Sequence, residues 1–128
     1  MTRPRSRARR RGAGRRRSQP RERQARVGHL VQQVVASELA RLDPDAGPMI
    51  TVTGVDVDAE FHVARVYVDH LDRERAAVLE GVRTRLQRAV GRQIRLRRTP
   101  TLVFAADPAI EAGERVEEIL RGIDDHER

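Results

Sequence analysis

Apolar residues recur along this chain with two different periods, and the switches between them divide it into elements. From Arg23 onward, Val27, Leu30, Val31, Val34, Val35, Leu39 and Leu42 follow the i, i+3, i+4, i+7 spacing of a helix with one buried face. Asp43-Pro44 stops that helix and Gly47-Pro48 marks a turn. Ile50 to Val57 then alternates and is rich in β-branched residues, as a strand should be, and His62 to Val68 does the same. Only the polar stretch around Asp58-Ala59-Glu60 separates them, which predicts a hairpin.

The helical period returns after Leu71, with Asp72 placed to cap the new helix. Val78, Val82, Leu86, Val90 and Ile94 recur every fourth position, and Leu79 and Ala89 widen the stripe. Gly81 and Gly91 weaken this helix and are the candidate positions for a break. Beyond Pro100 the period switches back to two, with Leu102 and Phe104 on one face of a strand over Thr101–Ala105. Asp107-Pro108 supplies a cap and a proline at the first helical position for a last helix through Ile110, Val116, Ile119 and Leu120. Gly113 weakens its first turns, and residues 124–128 form a flexible end.

Helix, strand, strand, helix, strand, helix describes an α+β domain, with helices on one face of a three-stranded sheet. It is expected to occupy residues 23–123, long enough to bury roughly two-thirds of its unfolded surface. Residues 1–22 are Arg, Ser, Gly, Pro and Gln with almost nothing apolar, so they are expected to be disordered when free.

Charge adds what periodicity cannot. The net charge is +7 and all 26 basic residues are arginine. Residues 1–26 hold twelve arginines and one glutamate, while residues 83–98 hold seven arginines and no acid. The rest of the chain is acidic, so positive charge is concentrated in one arm and one helix. That two-site pattern is an electrostatic footprint for a polyanion. Arg85, Arg88, Arg92 and Arg95, spaced three and four apart, form a stripe on a second face of the helix. The plainer reading is a solvated face, but seven unopposed arginines repel one another unless an anion compensates. The candidate polyanion-contacting residues are Arg23, Arg26, Arg83, Arg85, Arg88, Arg92, Arg95, Arg97 and Arg98, with Arg9, Arg10, Arg11, Arg15, Arg16 and Arg17 in the arm.

Catalytic chemistry has little to work with. There is no cysteine, the domain's one serine is Ser37 in mid-helix, and His29, His62, His70 and His126 form no pair at metal-ligand spacing. Asp56, Asp58 and Glu60 read most simply as a solvated strand and turn, and Glu111, Glu114, Glu117 and Glu118 as a solvated helix face. No catalytic residue, metal site or cofactor is expected, and no apolar run is long enough to span a membrane. Three aromatics, Phe61, Tyr67 and Phe104, are too few for a base-stacking platform, and no two glycines stand three apart to make a Gly-x-x-Gly clamp. What remains is phosphate contact guided by shape.

Several fixed residues give the chain a resemblance to the ribosome-binding factor A family. Arg23-x-x-Arg26-Val27 and Asp43-Pro44 bracket the first helix, and Thr51-Val52-Thr53-x-Val55-x-Val57 and Ala64-Arg65-Val66-Tyr67-Val68 resemble the family's first two strands. Most specific is Leu96-Arg97-x-x-Pro100-x-Leu102-x-Phe104, followed by Asp107, Ile110, Gly113, Arg115 and Leu120. The resemblance implies a type II KH-like fold of α-β-β-α-α-β order, two helices meeting at a kink, without the Gly-x-x-Gly loop. It further implies a bacterial, cytoplasmic, monomeric factor that binds the free small ribosomal subunit and assists late maturation and 5′-end processing of its rRNA, with a GTPase assisting release. Two departures stand out. Asp45 follows Asp-Pro where the family has a basic residue, and Val82-Arg83-Thr84 occupies the place of the Ala-x-Gly kink, so the kink is expected at Gly81 or to be shallow. The competing reading is a general nucleic-acid packaging protein acting through its arm.

Overall fold

A computed structural model describes the backbone of residues 3–127 and the side chains of residues 21–123. The first helix, α1, runs from Arg3 to Ala40, and its packing is described from Arg21 on. Val27, Val31, Val34, Val35 and Leu39 are buried as the spacing predicts, while Leu30 of the same stripe is exposed and Leu42 is half-buried. Asp43 ends the segment as read from sequence, its carboxylate accepting from Asp45 N–H at 3.0 Å above a short 3-10 turn, Pro44–Ala46.

Strands β1 (Val52–Val57) and β2 (Val63–Val68) form the expected antiparallel hairpin, and β3 (Thr101–Ala106) lies parallel to β2 on its other side. The order is β1-β2-β3. The hairpin turn is closed by Asp58, whose carboxylate accepts from Val63 N–H at 2.9 Å and whose acidity is raised by that bond. Phe61 completes the turn at φ 58, left-handed backbone that a bulky residue seldom adopts.

Helix α2 (Arg73–Gln93) starts as expected, with Asp72 accepting from Arg75 N–H at 2.8 Å. It departs from expectation in its middle and at its end. The two helices and kink implied by the resemblance are one unbroken helix here, running through both Gly81 and Gly91. Val82-Arg83-Thr84 lacks the small pair that would loosen the ladder, and Leu79, Leu86, Ala89 and Val90 hold the helix to the core on both sides of Gly81. The helix then stops one residue short of the predicted stripe. Ile94 is extended (φ −120, ψ 124), yet its N–H still donates to the Val90 carbonyl and its side chain stays buried.

Helices α1 and α2 cover one face of the sheet, burying Ala64, Val66 and Val68 of β2 and Leu102 of β3 between them. Gly28 is where α1 meets β1: a methyl group there would stand 2.9 Å from the Val55 carbonyl oxygen, so any larger residue would push helix from strand. The last helix, α3 (Pro108–Glu127), is outside this packing. Its residues from Glu111 to Ile123 are all exposed.

Candidate nucleic-acid interface

The topology sorts the chain's charges into two poles. β1 ends, and β2 and β3 begin, at the same end of the sheet, as the pairs Val57–Ala64 and Val63–Thr101 show. Three basic segments converge there. The first is the described start of α1, where Gln24 Nε2 donates to the Val57 carbonyl at 3.1 Å and the Arg23 guanidinium lies 5.1 Å from the Phe61 ring centroid. The second is the C-terminal turn of α2, whose dipole favours the Arg92 it carries. The third is the 94–100 loop, tied down where Thr101 N–H meets the His62 carbonyl at 2.8 Å.

That loop has its own logic. Ile94, in extended backbone, and Leu96 pack against the core while Arg95 and Arg97 between and after them stand in solvent. Pro100 is buried at its end, and Gly91 lets Thr99 approach, since a methyl group at Gly91 would meet Thr99 Oγ1 at 2.8 Å. The basic stripe is therefore not purely helical. Arg88 and Arg92 sit on α2, whereas Arg95, Arg97 and Arg98 sit on the loop that follows.

Not all the candidate arginines are presented alike. Arg85 Nε donates at 3.2 Å to Glu38, a carboxylate buried on α1, which also lies 3.7 Å from Arg41. Glu38 falls four residues after Val34 and three after Val35, on the apolar stripe itself. That position was the available signal that it needed a cationic partner. Arg83 is held by Glu80 and lies 5.7 Å from the Phe104 ring centroid, with its Nε buried and unsatisfied. These two guanidiniums are part of how α2 is fixed. By contrast, Arg88, Arg92, Arg95, Arg97 and Arg98 are exposed and form no ion pair among the described residues, and Arg26 is exposed on α1. The candidates Arg9, Arg10, Arg11, Arg15, Arg16 and Arg17 lie outside the described side chains. The nearest acids at this pole are partly engaged: Asp58 caps the hairpin and Glu60 lies 3.4 Å from His62.

The opposite pole, where β1 begins and β2 and β3 end, gathers Asp43, Asp45, Asp69, Asp72, Glu74 and Asp107 among fewer cations, Arg41, Arg73 and Arg75, the last paired with Asp72 at 2.6 Å. His70 there reaches Glu114 of α3 at 2.6 Å and Asp69 at 3.4 Å. Its hydrogen bonds to Glu114 and then Asp69, with the charge of both, hold its pKa above the usual value near 6.5. No group of His, Asp or Glu among the described residues is arranged to hold a metal ion, and no described helix is long and apolar enough to cross a membrane.

The sequence profile described as "Ribosome-binding factor A" matches residues 23–120. The chain belongs to the ribosome-binding factor A family. Curated relatives of that name include one from an Anaeromyxobacter species, 39% identical over 77% of this chain and 87% of its own length. Another is from Rubrobacter xylanophilus, 39% identical over 73% and 80% respectively. Among solved structures, the crystal structure of ribosome-binding factor A from Thermus thermophilus superposes with a TM-score of 0.59 at 26% identity, covering 65% of this chain and 93% of that one. A homology model of the Thermus thermophilus factor, fitted into a cryo-EM map of a 30S–RbfA complex, superposes with a TM-score of 0.55 at 29% identity over 66% and 96%. The mixed three-stranded sheet backed by α1 and α2 is thus the KH-like fold of that family.

Proposed function

We propose that this chain is a non-enzymatic assembly factor that binds the free small ribosomal subunit and assists late maturation of its rRNA, including processing of the 5′ end. The observation that carries the proposal is the basic pole: five exposed arginines, Arg88, Arg92, Arg95, Arg97 and Arg98, that form no ion pair among the described residues, on a rigid helix end and a pinned loop. Guanidinium forks held at fixed spacing match phosphates of a folded RNA, and the absence of a Gly-x-x-Gly clamp leaves shape to select the target. Arg23 and Arg26 extend this surface toward the arm of residues 1–22, whose arginines add contacts along the RNA. Arg83 and Arg85 act in this scheme by fixing α2, with their remaining exposed nitrogens at the edge of the surface. The factor works as a cytoplasmic monomer, and a ribosome-associated GTPase assists its release.

Twelve arginines in residues 1–26 favour one rival, a packaging protein whose arm alone binds nucleic acid. Removing residues 1–22 separates the two. The truncated protein should bind free small subunits more weakly, yet still prefer them to duplex DNA in a direct competition. Loss of that preference would transfer the binding function to the arm and reject the domain surface.

A further inference from the structure

The last helix is joined to the domain by very little. Asp107 is pinned, its N–H donating to the Val68 carbonyl at 2.8 Å and its carboxylate capping α3 through Ala109 N–H at 2.9 Å. Ile110 is half-buried in the first turn. From Glu111 to Ile123 every residue is exposed, and among the described residues Glu114 is the one side chain of α3 that bonds to the domain. Its carboxylate meets His70 Nε2 at 2.6 Å, one helical turn beyond Ile110. The other ring nitrogen, Nδ1, lies 3.4 Å from Asp69, whose second oxygen accepts from Thr51 N–H at 3.2 Å and from His70 N–H at 2.9 Å. Asp69 at the end of β2 and Glu114 on α3 are the charged groups that face the ring among the described residues.

An ionised carboxylate only accepts, so each of the two needs an N–H from the ring. The imidazolium has two. Neutral imidazole has one, and its bare nitrogen would turn a lone pair toward the remaining carboxylate. The arrangement is therefore complete only when His70 is charged, and both contacts, Glu114 first, favour that form. The two side chains are 48% and 50% exposed, and exposed pairs add little to stability. What this pair does set is the angle of a helix that no other described side chain restrains past its first turn. We infer that His70 is a proton-operated latch for α3: charged, it ties Glu114 to the end of β2 and holds the helix at one angle; neutral, it lets the helix swing about Asp107-Pro108. The latched form holds the proton more tightly than the released one. Latching is thus complete below the usual histidine value near 6.5 and is lost as pH rises through the higher value of the latched His70.

The chain has no cysteine, so Thr84→Cys on α2 and Ile119→Cys on α3, both at exposed positions, give two labelling sites in the full-length protein. Single-molecule energy transfer between dyes there should report one narrow distance at about pH 5.5 and a broad, shifted distribution at about pH 8.5, a span in which histidine titrates and carboxylates do not. The midpoint should lie above 6.5. His70→Ala should be broad at both ends of the span and melt like the wild type. Glu114→Gln, which keeps the shape and removes the charge, should also lose the pH response. A wild-type distance that is the same at both pH values, a narrow distance in His70→Ala, or a pH response that survives in either variant would each overturn the inference. None of these measurements involves ribosomal subunits, so the function proposed above stands or falls on its own test.

Discussion

Replacing Arg88, Arg92 and Arg95 together by glutamate should abolish association with free small subunits while leaving the circular dichroism spectrum and melting temperature intact. All three side chains are exposed and none is used in an ion pair within the described domain, so the fold does not depend on them. Their removal leaves phosphates unneutralised, and the glutamates add repulsion at close range. The milder alanine triple separates these effects. Every phosphate that no longer meets a guanidinium should flatten the dependence of log affinity on log salt by about 0.7, the single-strand value, to about 0.9, the value for a DNA duplex. The alanine variant should therefore bind less tightly at low salt and be distinctly less salt-sensitive. A weakened variant with an unchanged slope would mean that these arginines act on something other than phosphate. Arg85→Ala should behave differently, lowering the melting temperature, because the buried Glu38 carboxylate loses its hydrogen-bonded partner and keeps only the longer ion pair to Arg41.

The second large effect is on stability, and it separates the core from α3. Leu86 is 1% exposed at the centre of α2, whereas Leu120 on α3 is 56% exposed. Leu86→Ala should cost about 3 kcal/mol, through reduced burial and the cavity left behind. For a domain of this size that lowers the melting temperature by about 15 °C. Leu120→Ala should stay within about 0.5 kcal/mol of the wild type. Thermal melts of the two variants check this, and a comparable loss at Leu120 would mean that α3 is packed in solution.

Much of this architecture is legible in the sequence because local chemistry dictates it. Asp72 and Asp43 cap where their side chains reach the next N–H groups, Pro100 ends the loop, and the stripe from Val27 to Leu39 is buried as spaced except at Leu30, which is exposed. The hairpin follows from two alternating runs with too little chain between them for anything else. The misreadings come from forces that periodicity does not report. Ile94 continues the four-residue spacing and is buried, but it is buried as an extended residue, so the stripe overstates the helix by one position. A break at Gly81 is a reasonable expectation from propensity, yet core packing on either side of it outweighs the cost of one glycine in a helix, about 1 kcal/mol.

The site is harder to read than the fold. Seven arginines within sixteen residues announce a polyanion surface, but pairs such as Arg85–Glu38 join residues 47 positions apart, and no local rule shows which guanidiniums the fold consumes. The separation into a basic and an acidic pole is likewise a product of topology. It requires that α1 and α2 run in opposite senses along a sheet whose third strand is parallel to the second. The exposed stripe of α3 looks in sequence like any core-facing helix, and only the packing reveals that nothing among the described residues covers it.

The central claim is that this domain's arginine surface seats on the free small subunit, and one sedimentation experiment tests it most directly. Cell extract containing the full-length chain is resolved on a sucrose gradient, and each fraction is probed for the protein. It should travel with free small subunits and be missing from joined ribosomes. Sedimentation with joined ribosomes, or retention near the top of the gradient with the unbound proteins, would contradict the account.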